Sequence, residues 1–220
     1  MTLAEKLAEY AVSIKYEDIP AQTVQEAKKR IVDAMACAIG AFDARPIEIA
    51  RRVAGDFRAS NGSLILETRF KVPSDLATFV NGLMIRYFDF NDTYLSKEPA
   101  HPSDNLGECL SVASSMSASG KDLLLSLILA YEIQCRLCDA ADIRHRGWDH
   151  VCYGLVSSAV ATGKLMRLDK EKIIQAINIA LNSHIAMRQV RLVSYRCGKH
   201  VHFQMRLGTE FFQLYLPKRG

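Results

Sequence analysis

From Met1 to His184 the apolar residues return at every third or fourth position, and no stretch sustains an alternation of two. That periodicity predicts an all-α, multi-helix bundle. Leu3, Leu7 and Tyr10 form a first stripe behind Thr2 as a cap. Val24, Ala27, Ile31, Ala34, Met35 and Ala38 form a second between Pro20 and Gly40. Pro46 opens a shorter helix bearing Ile49, Ala50, Val53 and Phe57. Asn61-Gly62 reads as a turn and Ser63–Leu66 as a brief extended piece. Ser74 is placed to cap a helix through Leu76, Phe79, Val80, Leu83 and Met84.

The second half repeats the logic. Leu106–Ser119 is small and apolar, suited to close packing. Lys121–Ala140 carries Leu124, Leu127, Ile128 and Tyr131 and is apolar on most sides, so it is expected at the centre of the bundle. Val151–Leu165 is rich in Gly, Ala and Ser, and Asp169 caps a last helix with Ile173, Ile174, Ile177 and Leu181 on one face.

Two polar loops interrupt this pattern. Phe88–Asn105 gathers Asp89, Asn91, Asp92, Thr93, Ser96, His101, Ser103 and Asp104 between two apolar helices, where chemistry is expected. Asp142–His150 is the second. From the residues alone, bland readings stand beside the chemical ones. His101-Pro102-Ser103 suits a helix-entry turn with Ser103 or Asp104 as cap, Asp92-Thr93 suits an Asx or ST turn, and His150 suits a helix start.

Charge and cysteine usage exclude several classes. The net charge of +4 lies wholly in residues 192–220, where Arg196, Lys199, Arg206, Lys218 and Arg219 face Glu210 alone. The body is therefore neutral and offers no basic face, which argues against nucleic acid. No apolar run reaches the roughly 18 residues that span a bilayer, and the start is polar, so no membrane is expected and the location is expected to be cytoplasmic. Cys135 and Cys138 form a lone CxxC in an apolar helix with no second pair, so they and Cys37, Cys109, Cys152 and Cys197 read as core thiols, with no metal site expected and redox or metal work as the alternative.

Three segments carry a resemblance. NGLMIRYFDFNDTYLSKEPAHPSDN (Asn81–Asn105) resembles the signature of the MmgE/PrpD family, a helix running into an FDFDDT-like turn and then HPS. GWDHVCYGLVSSAVATGKLMRLDKEKIIQAINIAL (Gly147–Leu181) resembles the family's second block, and MRQVR (Met187–Arg191) the opening of a third. The resemblance implies a helical domain over 1–191, completed in the family by a smaller α+β lid and by homodimer formation. It implies 2-methylcitrate dehydratase-like chemistry without metal or other cofactor, in which water is eliminated from a citrate-like polycarboxylic acid. Matched motif to motif, it points to Asp89, His101 and His150 as catalytic and to Thr93 as substrate-binding. Asn91 departs from the Asp of many members. Histidines suit proton transfer near neutral pH, and a polycarboxylate needs cationic clamps, for which Arg188 and Arg191 are the nearest candidates.

Residues 192–220 show neither stripe nor cap. Where the family continues with a GELSMWK-like stretch, this chain reads Leu-Val-Ser-Tyr-Arg-Cys-Gly, and permitted codons for Leu192–Phe212 in a shifted frame can spell the family motif. The expectation is a change of frame at Arg191–Leu192, a non-family, poorly packed tail, and little or no turnover by the short chain. A non-enzymatic helical module, used for dimerisation or binding, is the competing expectation.

Overall fold

The computed structural model describes residues 1–189. Eight α-helices account for most of them: α1 (Leu3–Ser13), α2 (Ala21–Gly40), α3 (Arg45–Gly55), α4 (Ser74–Arg86), α5 (Leu106–Met116), α6 (Gly120–Ala140), α7 (Val151–Leu165) and α8 (Lys170–His184). The only sheet among the described residues is a two-stranded antiparallel one, β1 (Ser63–Leu64) against β2 (Lys71–Val72). The all-α reading holds. No described helix is long and apolar enough to cross a membrane. Arg191 and the segment Leu192–Gly220 lie outside the described residues.

Local chemistry starts and stops these helices much as the sequence implies. Thr2 and Glu5 form a reciprocal capping box on α1, and Asp169 accepts from the Lys172 N–H at 2.9 Å on α8. A second box, Ser119 with Asp122, opens α6. Ser74 does not cap α4. Its hydroxyl instead meets Ser63 Oγ at 2.7 Å, tying the helix start to β1, and Pro73 fills the cap position. Gly62 is required where it stands, because a Cβ there would lie 2.0 Å from the Val72 carbonyl oxygen.

The most enclosed helix is α7 rather than α6. Every residue from Val151 to Gly163 is buried, whereas α6 leaves Lys121, Arg136 and Asp139 outward. Small residues allow this: Gly154, Ser157, Ser158, Ala159 and Ala161 let α5, α6 and α8 approach from different sides, and a Cβ at Gly163 would sit 3.0 Å from Ile173 Cγ1. Around α7 a core of Leu129, Leu155, Ile173 and Ile177 closes, and a second core of Ile47, Met84, Ile85 and Leu127 lies between α2, α3, α4 and α6. Each such side chain contributes about 1.5–3 kcal/mol by leaving water. On α3 the buried stripe is Ile47, Ala50 and Ala54, and Ile49, Val53 and Phe57 face outward.

Candidate active site

The loop after α4 is built on one buried cation. Arg86 closes the last turn of α4 with its side chain 8% exposed. Its guanidinium pairs with Asp89, donates to Asn91 Oδ1 at 3.2 Å and lies 3.6 Å from Asp104 Oδ2. Asp89 takes a left-handed backbone, with φ of 59°, that a non-glycine residue rarely adopts, and its ion pair with Arg86 offsets part of that strain. Asn91 donates to Ser103 Oγ at 2.9 Å and to Asp104 Oδ1 at 2.8 Å, fastening the loop to the turn that precedes α5. Burial pushes the Asp104 carboxyl up, against the pull of Arg86 and His101.

His101 sits just before that turn, a short 3-10 stretch over Pro102–Asn105. The turn is rigid because Asn105 uses its full hydrogen-bonding capacity in the core. Its Nδ2 donates to the Pro102 carbonyl and to Gln134, and its Oδ1 accepts from Ser157 and Ser158 at 2.8 and 3.0 Å. The rest of the loop folds back through paired N–H···O bonds between Tyr94 and Ala100, and Tyr94 and Ser96 anchor it to Asp139 of α6.

The second loop is drawn to the first by Glu98. This residue, 1% exposed, accepts from the Arg144 N–H at 3.0 Å and pairs with its guanidinium at 3.3 Å. His150 then enters α7 with its Nδ1 3.4 Å from Asp149 Oδ1, and the ring centroids of His101 and His150 are 6.0 Å apart. Both imidazoles are largely shielded, each 16% exposed. Of the residues expected from the sequence, Asp89, Thr93, His101 and His150 are brought together. Asp89 Oδ1 lies 3.8 Å from His101 Nε2, and Thr93 Oγ1 lies 3.3 Å from His101 Nδ1. Arg188 is exposed, in a segment whose backbone bonds to Gly147 near His150, and Arg191 lies outside the described residues.

A sequence profile decides the family. The MmgE/PrpD N-terminal domain matches residues 5–202, nearly the whole chain. The chain belongs to the MmgE/PrpD family. The match runs past Arg191, where the motif reading placed its boundary. The chain is 36% identical over 141 residues to the 2-methylcitrate dehydratase of Escherichia coli K12, covering 60% of this chain and 29% of that protein. It is 29% identical over 174 residues to a probable 2-methylcitrate dehydratase of Saccharomyces cerevisiae, covering 73% and 34%. Over 187 residues it is 32% identical to a 2-methylcitrate dehydratase-like protein of Aspergillus oryzae, covering 76% and 37%. The chain thus spans about a third of the length of the curated relatives it matches.

Several residues around the two histidines were not singled out by motif. Arg86 had one legible signal, a cation within the otherwise apolar run of α4. Asp92 and Tyr131 are the others: the Tyr131 hydroxyl donates to Asp92 Oδ2 at 2.7 Å, and the Ser103 N–H donates to Asp92 Oδ1 at 2.9 Å. Behind this pair a cleft of about 320 Å³ runs between α2 and α6, with Ala27, Leu127 and Ile128 on its floor and neither histidine in its wall. Cys135 borders the cleft and Cys138 lies one turn on; burial pushes both thiols up to about 12, and both are free. Among the described residues no three His, Cys, Asp or Glu side chains converge as a metal site.

Proposed function

We propose that this chain supplies the histidine-bearing helical part of a site that eliminates water from a citrate-like polycarboxylic acid. The observation that carries the reading is the pair of shielded imidazoles 6.0 Å apart, each beside a carboxylate, on two loops tied together by Glu98 and Arg144. The relatives named 2-methylcitrate dehydratase support the choice of acid.

The geometry supports a division of roles. His101 Nδ1 lies 2.8 Å from the Asp92 carbonyl oxygen, which can only accept, so the neutral ring carries its proton on Nδ1 and a lone pair on Nε2. Nε2 takes the proton alpha to a carboxylate, and the imidazolium so formed faces Asp89 at 3.8 Å. His150, with its Nδ1 3.4 Å from Asp149 Oδ1, gives a proton to the departing hydroxyl. One C–H and one C–O bond break, a C=C bond forms, and water leaves. Arg188 and Arg191 are the cations assigned to the substrate's remaining carboxylates, Thr93 to its hydroxyl, and no metal or other cofactor enters the scheme.

The test is histidine NMR of the 220-residue chain titrated with 2-methylcitrate. Selective shifts of His101 and His150, abolished by His101→Gln, are expected. Equal shifts at exposed His145, or none at the pair, refute the reading. A second reading, a helical module that pairs with another copy, is favoured by the exposed apolar residues Val32 and Ile39 of α2 and Phe88 and Phe90 of the loop. A concentration-dependent dimer that Phe90→Ser dissociates, without acid binding, would support it instead.

A further inference from the structure

We propose that Tyr131, acting through Asp92, is the positioning residue that holds His101 as its Nδ1–H tautomer. The consequence, an Nε2 free to accept a proton, rests on the proton-transfer reading of the site. The tautomer itself does not.

Asp92 joins three parts of the fold. Its Oδ2 accepts from the Tyr131 hydroxyl of α6 at 2.7 Å, its Oδ1 accepts from the Ser103 N–H at 2.9 Å, and its main-chain carbonyl meets His101 Nδ1 at 2.8 Å. The side chain therefore fixes the peptide whose oxygen faces the imidazole. Of the two groups that donate to this carboxylate, only the Tyr131 hydroxyl comes from outside the loop and its turn. Tyr131 is well suited to the task, since burial and the Asp92 carboxylate push its phenol far up and keep it a donor.

Opposing pulls act on the ring. Unconstrained neutral imidazole of histidine favours the proton on Nε2, and Asp89 Oδ1 lies on that side. Yet 3.8 Å exceeds hydrogen-bond length, while the 2.8 Å contact to a carbonyl is a full bond. Placing Nδ1 without a proton against that carbonyl would set two lone pairs face to face. The short contact wins as long as the Asp92 peptide stays where Tyr131 and Ser103 hold it. The Thr93 hydroxyl, 3.3 Å from the same nitrogen, is a weaker second acceptor on that side.

Long-range proton–nitrogen correlation spectra of the full 220-residue chain, labelled with nitrogen-15 and recorded above the histidine titration, read the tautomer directly. His101 is expected to be predominantly Nδ1–H. Tyr131→Phe keeps the ring that fills the space and deletes only the donor. It is expected to raise the ratio of Nε2–H to Nδ1–H at His101 about fivefold, the factor matching one hydrogen bond of about 1 kcal/mol. His145 and His184 serve as controls and should not change. Asp92→Ala, which keeps the carbonyl but frees it from both ties, should move the ratio at least as far. An Nε2–H ring in the unmodified chain overturns the proposal at its root. An unchanged ratio in Tyr131→Phe overturns the role of Tyr131, as does an equal change at His145 or His184, which would mark a general loosening of the fold. Failure of the acid-binding test leaves all these measurements standing, so the two readings fail separately.

Discussion

Glu108 offers a sharp test of the packing beneath the site. It lies in the first turn of α5, 2% exposed, with Oε1 lacking a hydrogen-bond partner and its other contact made to Ser158. Burial, and secondarily the neighbouring Asp104, push its carboxyl well above the usual range. The folded chain therefore keeps a proton that the unfolded chain has released. Between the unfolded value, about 4.3, and the higher folded one, the native state binds more protons, so stability falls as pH rises. The contribution is fully present below the unfolded value and is lost as pH climbs through the folded one. Within that window the loss is about 1.4 kcal/mol per pH unit.

Glu108→Gln removes the titration and keeps the shape, since an amide resembles the protonated acid. Urea unfolding of both chains from pH 4 to pH 8 should give nearly equal stabilities at the acid end, within the worth of one hydrogen bond, about 1 kcal/mol. From about pH 5 the variant should gain on the parent at about 1.4 kcal/mol per unit until the native carboxyl ionises, after which the gap stays constant. Asp104 is present in both chains, and its own titration differs between them only by the repulsion that it shares with Glu108. Two curves that run parallel across the range would refute the argument, because they would mean that Glu108 titrates alike in the folded and unfolded chains.

Two further predictions bear on the helix crossings. Gly107→Ala would set a Cβ 2.8 Å from Gly82 Cα and N where α4 crosses α5, and should cost about 1–3 kcal/mol in urea unfolding; an unchanged midpoint would mean that the crossing can open. Leu155→Ala, in the middle of α7, should cost about 2–5 kcal/mol. Phe90→Ala, 80% exposed, should stay within about 0.5 kcal/mol, and a larger loss there would show that Phe90 is covered in solution.

The fold was legible where burial follows a helical period. The stripes of α2 and α8, and the caps Thr2 and Asp169, appear in the structure as the pattern implies, since packing one face of a helix selects residues three and four apart. The misreadings of burial share a cause, in that size was taken for burial. On and just after α3, Ile49, Val53 and Phe57 are the louder stripe, yet the buried face is Ile47, Ala50 and Ala54, where the two alanines permit α4 to approach closely. In the same way α6 has the larger apolar side chains, but α7, with its Gly, Ala and Ser, can be surrounded on all sides. A small residue carries little hydrophobic signal in a sequence and much steric consequence in a packed interior.

The site divides along a similar line. The residues that it brings together were legible because a histidine or carboxylate in a polar loop between apolar helices stands out, and the family motifs named both loops. What holds those groups in place was not legible. Tyr131 looks like one more member of an apolar face, and nothing near it in the chain reveals that its hydroxyl reaches Asp92, 39 residues away. Glu98 and Arg144, 46 residues apart, join the loops through a contact that neither segment announces. Arg86 and Glu108 were the exceptions within reach. A charge inside a buried helical run must find a partner or give up its ionisation. Arg86 takes the first course with Asp89 and Asp104, and Glu108 takes the second by keeping its proton. Charges that break an apolar stripe therefore point here to the layer beneath the candidate site, where the polar residues of the loops point to its surface.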